Sequence, residues 1–131
     1  MRQATAHPPT AEDQDQAPPD IATMRDVIDR LLDPDVAFEL LVLEPDEMET
    51  LFLQLRGHIE LLVPEVEQAA RKLPRHCIPR YCVLACLGEA REKLRAGPAA
   101  RFGGLPGHAR RLARVLNALC DHYEQLNGRE H

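Results

Sequence analysis

The sequence predicts an all-α protein, an antiparallel four-helix bundle preceded by a disordered N-terminal tail. Two stretches, 48–73 and 105–126, repeat apolar residues at steps of 4 and 3. Proline and glycine clusters divide the chain into four helix-length pieces. The six-residue apolar run Phe38–Leu43 is the one strand candidate, and in a helical chain it has no strand to pair with. At 131 residues the chain has the size of one domain.

Residues 1–19 carry Pro8, Pro9, Pro18 and Pro19 and, after Met1, no apolar residue larger than alanine. Such a segment buries too little surface to offset its ordering entropy, so it is read as the disordered tail. The bundle domain is then 20–131.

The first helix begins behind Asp20, a good N-cap, with Ile21, Met24, Val27, Ile28 and Leu31 at helical spacing. Asp33-Pro34 ends it, because a residue before proline avoids the α region. Phe38–Leu43 is read as a connecting segment, partly helical. The second helix opens on Pro45, with Asp46, Glu47 and Glu49 at the positive end of its dipole. Met48, Phe52, Leu55, Ile59, Leu62, Val66, Ala69 and Leu73 form a heptad seam. The seam keeps phase across Pro64, so one kinked helix is expected rather than two.

The third helix opens at Pro79 and stops before Gly97-Pro98, with Val83, Leu87, Ala90 and Leu94 as its stripe. Its first half, Tyr81–Leu87, is apolar nearly all round. That predicts either the centre of the domain or a homodimer contact, to which Phe38–Leu43 would add surface. A loop is expected over 98–107. The fourth helix follows, with Leu105, Ala109, Leu112, Leu116, Leu119, Tyr123 and Leu126 as its seam and Gly128 past its end. Its period matches that of the second helix, so the two can pack at a shallow angle.

Charge excludes some functions and suggests others. The net charge is −5 and aromatic residues make up 4% of the chain. That argues against a generally basic, base-stacking nucleic-acid surface. The total hides an asymmetry: residues 1–67 hold 16 acidic and four basic residues, and residues 68–131 hold five acidic and 12 basic. The halves can neutralise each other. Alternatively, Arg71, Lys72, Arg75, Arg110, Arg111 and Arg114 form a basic surface for an acidic protein partner. Arg110, Arg111 and Arg114 sit near a helix start, where cations oppose the dipole and call for compensation.

Other chemistry is sparse. Cys82 and Cys86 are four residues apart, and Cys120 or His122 could complete a soft-metal or thiol-responsive site. No CxxC or HxxxH pair supports zinc, so these residues are read first as ordinary small apolar positions. His58, with Glu60, Glu65 and Glu67 nearby, or His122 beside Asp121, could serve a small enzyme. No Glu-x-x-His motif supports a di-iron bundle, and Gly103–Gly107 lacks the context of a phosphate loop. No cofactor is expected. No run of 18 apolar residues suggests a membrane span, and the N-terminus lacks a signal layout. A cytoplasmic location with reduced thiols is the expectation.

Three segments carry a resemblance. They are Leu55–Glu67 (LRGHIELLVPEVE), Pro79–Arg91 (PRYCVLACLGEAR), and Ala109–Arg114 (ARRLAR) with Leu119–Glu124 (LCDHYE). Together they resemble a set of small actinobacterial proteins of unknown function, mainly of Streptomyces type, labelled as natural-product biosynthesis proteins. The likeness spans roughly 20–126. It implies an accessory role in secondary metabolism and adds no catalytic residue.

Overall fold

A computed structural model describes residues 18–33, 44–97 and 104–128. These residues form four helices: α1 (Ile21–Leu32), α2 (Pro45–Arg71), α3 (Ile78–Arg95) and α4 (Gly104–Gly128). Residues 1–17 of the tail expected over 1–19, and the connecting segment Phe38–Leu43, lie outside the described residues.

Local chemistry sets the helix ends. Asp20 caps α1: its Oδ1 accepts from the Thr23 amide at 3.1 Å and its Oδ2 from the Thr23 hydroxyl at 2.7 Å. Pro45 occupies the first turn of α2, where a missing N–H costs nothing. The helix then runs unbroken through Pro64, whose ring lies on the exposed side. The carbonyl it leaves unpaired therefore faces water. Cys77 precedes α3, and Pro79 sits in its first turn. α4 already begins at Gly104, inside the stretch 98–107 expected as a loop, of which 98–103 lies outside the described residues. Gly104 has φ +62°, a left-handed value that glycine adopts without a Cβ penalty. Pro106 falls in the same first turn and needs no hydrogen-bond donor there.

α2 and α3 run antiparallel. Arg56 of α2 donates to the Leu94 carbonyl of α3 at 2.6 Å, and Glu67 pairs with Arg91 at 2.8 Å. Ile78 and Pro79 lie beside Gln125 and Leu126, so α3 also opposes α4. Consequently α2 and α4 run the same way, and they make the largest helix–helix interface. α1 packs chiefly on α4, and α3 packs on both α2 and α4.

The centre of the domain is therefore α4, which touches all three other helices. Leu112, Ala113, Leu116, Leu119 and Cys120 are fully buried there, facing Leu55, Ile59, Leu62, Val66, Leu31 and Leu87. Of the two expectations for Tyr81–Leu87, the centre of the domain is the one this overturns. Val83 and Leu87 are buried, but Tyr81, Cys82, Leu84 and Ala85 are exposed. An apolar circumference does not fix which helix sits in the middle. α4 takes that place because Ala109 and Ala113 alternate with its leucines and admit neighbours on several sides. Among the described residues, no helix is long and apolar enough to cross a membrane.

Candidate interaction surface

The six basic residues singled out in the sequence fall into two groups. Arg71, Lys72 and Arg75 lie at the end of α2 and in the turn that follows. Arg110, Arg111 and Arg114 lie in the first turns of α4. Phe52 and the α4 residue His108 are in ring contact, centroids 5.6 Å apart, which fixes the level of the second group along α2. From Phe52 to Arg71 is roughly 28 Å at the helical rise of about 1.5 Å per residue. The two groups thus mark opposite ends of the bundle.

Pairing between the halves accounts for part of the charge. Arg91 donates to Glu67 at 2.8 Å, and Arg71 lies 3.6 Å from the same carboxylate. That crowding of cations holds Glu67 below the usual carboxylate range, the Arg91 hydrogen bond acting most strongly. The other cross-half network has the opposite polarity. Arg25 of α1 donates to Asp121 at 2.9 Å, and also to Asn117 and Glu124 of α4. Asp26, Asp29, Glu47, Glu49 and Glu60 are exposed, as are Arg75, Arg110 and Arg114. The dipole cost of the α4 arginines is small, because α4 begins at Gly104 and all three lie beyond its first turn. His108 in α4 bonds the backbone at Ala96, so the negative end of α3 abuts the positive end of α4.

The first basic group stands beside exposed apolar side chains. Ile78 is 77% exposed, Tyr81 75% and Leu84 45%. They follow one another at i, i+3 and i+6 on α3 and so share a face. With Arg75, His76, Cys77 and Arg80 they line a shallow hollow of about 370 Å³. Arg80 is held in place by donating to the Leu73 carbonyl at 3.2 Å. The sequence signalled this face only through its excess of apolar residues over what one helix stripe can bury.

The thiols and histidines are dispersed. Cys82 is exposed and shares a cleft of about 300 Å³ with His122, Ile78, Pro79 and Val83. Cys86 is half-buried and Cys120 buried, and burial pushes both thiols up to about 11. Among the described residues, no group of three or more His, Cys, Asp or Glu side chains is placed to hold a metal. His58 lies apart, in a groove between α1 and α2, where burial lowers its pKa and nearby Asp20 partly restores it.

His108 escaped the sequence reading. It is 1% exposed, and its Nε2 has no hydrogen-bond partner. Burial lowers its pKa first, followed by the positive charges of Arg111, Arg56 and Lys93. The ring is therefore held neutral, wedged against Phe52. A signal was present: His108, Leu112, Val115 and Leu119 form a second apolar register on α4 at steps of 4, 3 and 4.

No curated protein and no solved structure matches the chain. A family described only as being of unknown function, DUF6415, matches residues 22–128, a span that reaches from the first turn of α1 to the end of α4. The chain belongs to this DUF6415 family of unknown function.

Proposed function

We propose that the protein is a non-enzymatic accessory protein that binds an acidic protein partner through the α2–α3 end of the bundle. The observation that carries this reading is the exposed row Ile78, Tyr81 and Leu84 beside Arg75 and Arg80. An apolar strip with a basic rim fits an amphipathic helix whose polar edge is acidic. The apolar contact supplies affinity, and the charges supply orientation and rate. Arg71 and Lys72 extend the basic rim. Among the described residues, no comparable exposed apolar row accompanies Arg110, Arg111 and Arg114. A setting in actinobacterial secondary metabolism rests on the resemblance of the three sequence segments.

The test uses a fluorescently labelled, Glu/Leu-rich amphipathic peptide and fluorescence anisotropy. Arg75→Glu with Tyr81→Ser should weaken binding at least about tenfold, equivalent to some 1.4 kcal/mol. Arg110→Glu with Arg114→Glu should leave it nearly unchanged. Equal affinity for the Gln/Leu analogue, or loss of binding only in the α4 variant, would refute the reading.

A second reading has one specific observation in its favour: the exposed thiol of Cys82 shares a cleft with His122. An exposed cysteine beside an imidazole suits a thiol-responsive role at the same end of the bundle.

A further inference from the structure

The chain carries a second exposed apolar face with the opposite charge. On α2, Leu53, Gly57 and Leu61 lie at i, i+4 and i+8, and the two leucines are 57% and 55% exposed. With Thr23 and Val27 of α1 and Gln54, His58 and Glu60 of α2, Gly57 and Leu61 line a groove of about 530 Å³. Glu60 forms part of its wall, and Asp20 stands close enough to His58 to act on it electrostatically. Glu49 precedes Leu53 by one turn on the same stripe. Two arginines that could neutralise this face turn away from it, Arg25 to α4 and Arg56 to the Leu94 carbonyl. Arg30 remains on the exposed side of α1. The balance is acidic.

Gly57 lines the groove. A Cβ placed there would meet nothing within 4 Å, so the bundle's own packing does not require glycine. A glycine within a helix costs about 0.5–1 kcal/mol relative to alanine. The bare backbone leaves room for an incoming side chain.

We infer that a second copy of the chain docks its α3 face, Ile78, Tyr81 and Leu84 with Arg75 and Arg80, into the α1–α2 groove around Gly57 and Leu61. This rests on reading the α3 face as a docking surface for an acidic partner, and it names that partner as the chain itself. Charge decides the geometry. Two α3 faces meeting symmetrically would bring Arg75 and Arg80 against their own copies. The α3 face in the groove instead sets arginines against Glu60, Glu49 and Asp20, with apolar surface between. Such a contact joins two different patches. The pair keeps one of each unused, one on each copy, and association continues to a ring or an open chain.

Sedimentation and light scattering on the full chain test the inference. Mass should rise with concentration beyond that of a dimer, and high salt should reduce it. Tyr81→Asp removes the α3 face and Leu61→Arg removes the groove. Both side chains are more than half exposed, and circular dichroism verifies that each variant is folded. Each variant alone should be monomeric. Their equimolar mixture should form a one-to-one heterodimer and nothing larger. Ile78→Ser and Leu53→Arg repeat the pair independently.

A monomeric wild-type chain would overturn the inference. So would a mass that saturates at a dimer, or association untouched by Leu61→Arg. The acidic-peptide measurement separates the two proposals. Peptide binding by a chain that stays monomeric leaves the docking surface standing and removes only the second copy. Self-association without peptide binding supports the head-to-tail contact and removes the foreign partner.

Discussion

Replacing Gly57 and Gly88 by alanine should make the protein more stable. Both lie well inside helices, Gly57 in α2 and Gly88 in α3. At neither position would a Cβ approach another heavy atom within 4 Å, so no steric cost opposes the change. Neither has a positive φ, so alanine fits the backbone as it stands. The gain comes from the unfolded chain, which loses conformational freedom. It amounts to about 0.5–1 kcal/mol per site. The sites lie on different helices with no shared partner, so the effects should add to about 1–2 kcal/mol. At about 4–8 °C per kcal/mol for a domain near this size, the double variant should melt about 4–16 °C higher. Urea unfolding checks the magnitude: the midpoint should rise and the slope stay fixed. An unchanged or lower melting temperature would refute the claim that the fold has no use for these glycines. Gly57→Ala alone should also narrow the groove while leaving the fold intact.

Two further outcomes follow from buried groups. His108 and His58 both have pKa values lowered in the folded state from the usual 6.5. Above that pH both states are neutral and stability does not depend on these groups. As pH falls below it, the unfolded chain takes up protons first, so stability should drop toward the folded-state pKa. Denaturant midpoints from pH 7.5 to 5 should show the fall, and His108→Leu should flatten it; an equal slope in that variant would exclude His108 as its source. The four thiols should react with an aromatic disulfide in order of access, Cys82 first and Cys120 last. Cys86 should also lag, because burial holds it, like Cys120, mostly protonated with a pKa of about 11. Mass spectrometry of quenched samples gives the order, and early loss of Cys120 would contradict its burial.

Much of the fold was legible because α2 and α4 carry long seams. Met48, Leu55, Ile59, Leu62 and Val66 are buried as their spacing requires, and Asp20, Pro45 and Asp33 mark helix ends through local chemistry alone. What sequence could not rank was which helix would be surrounded. A heptad seam predicts contact on one side, whereas α4 also buries Ala113, Val115 and Cys120 outside it. The apolar first half of α3 read as either an interior segment or a dimer contact, and Tyr81 and Leu84 are exposed, because α2 and α4 together offer α3 only a single groove. The basic residues were identifiable by type. Their division between two ends depends on the directions of α2 and α4, which no local pattern encodes. His108 was hidden for a related reason: its burial needs Phe52 on one helix and the end of another.

The position of α4 also bears on how the chain folds as it is made. The helix against which α1, α2 and α3 all pack is the last of the four to leave the ribosome. Arg25 must wait for Asn117, Asp121 and Glu124, more than ninety residues later in the chain. Until then Met24, Leu31 and Leu55 lack the surface that covers them in the finished domain. Closing the bundle therefore waits for α4 and is cooperative. A nascent chain stalled before α4 would present these leucines and methionines to chaperones rather than hold a partial bundle.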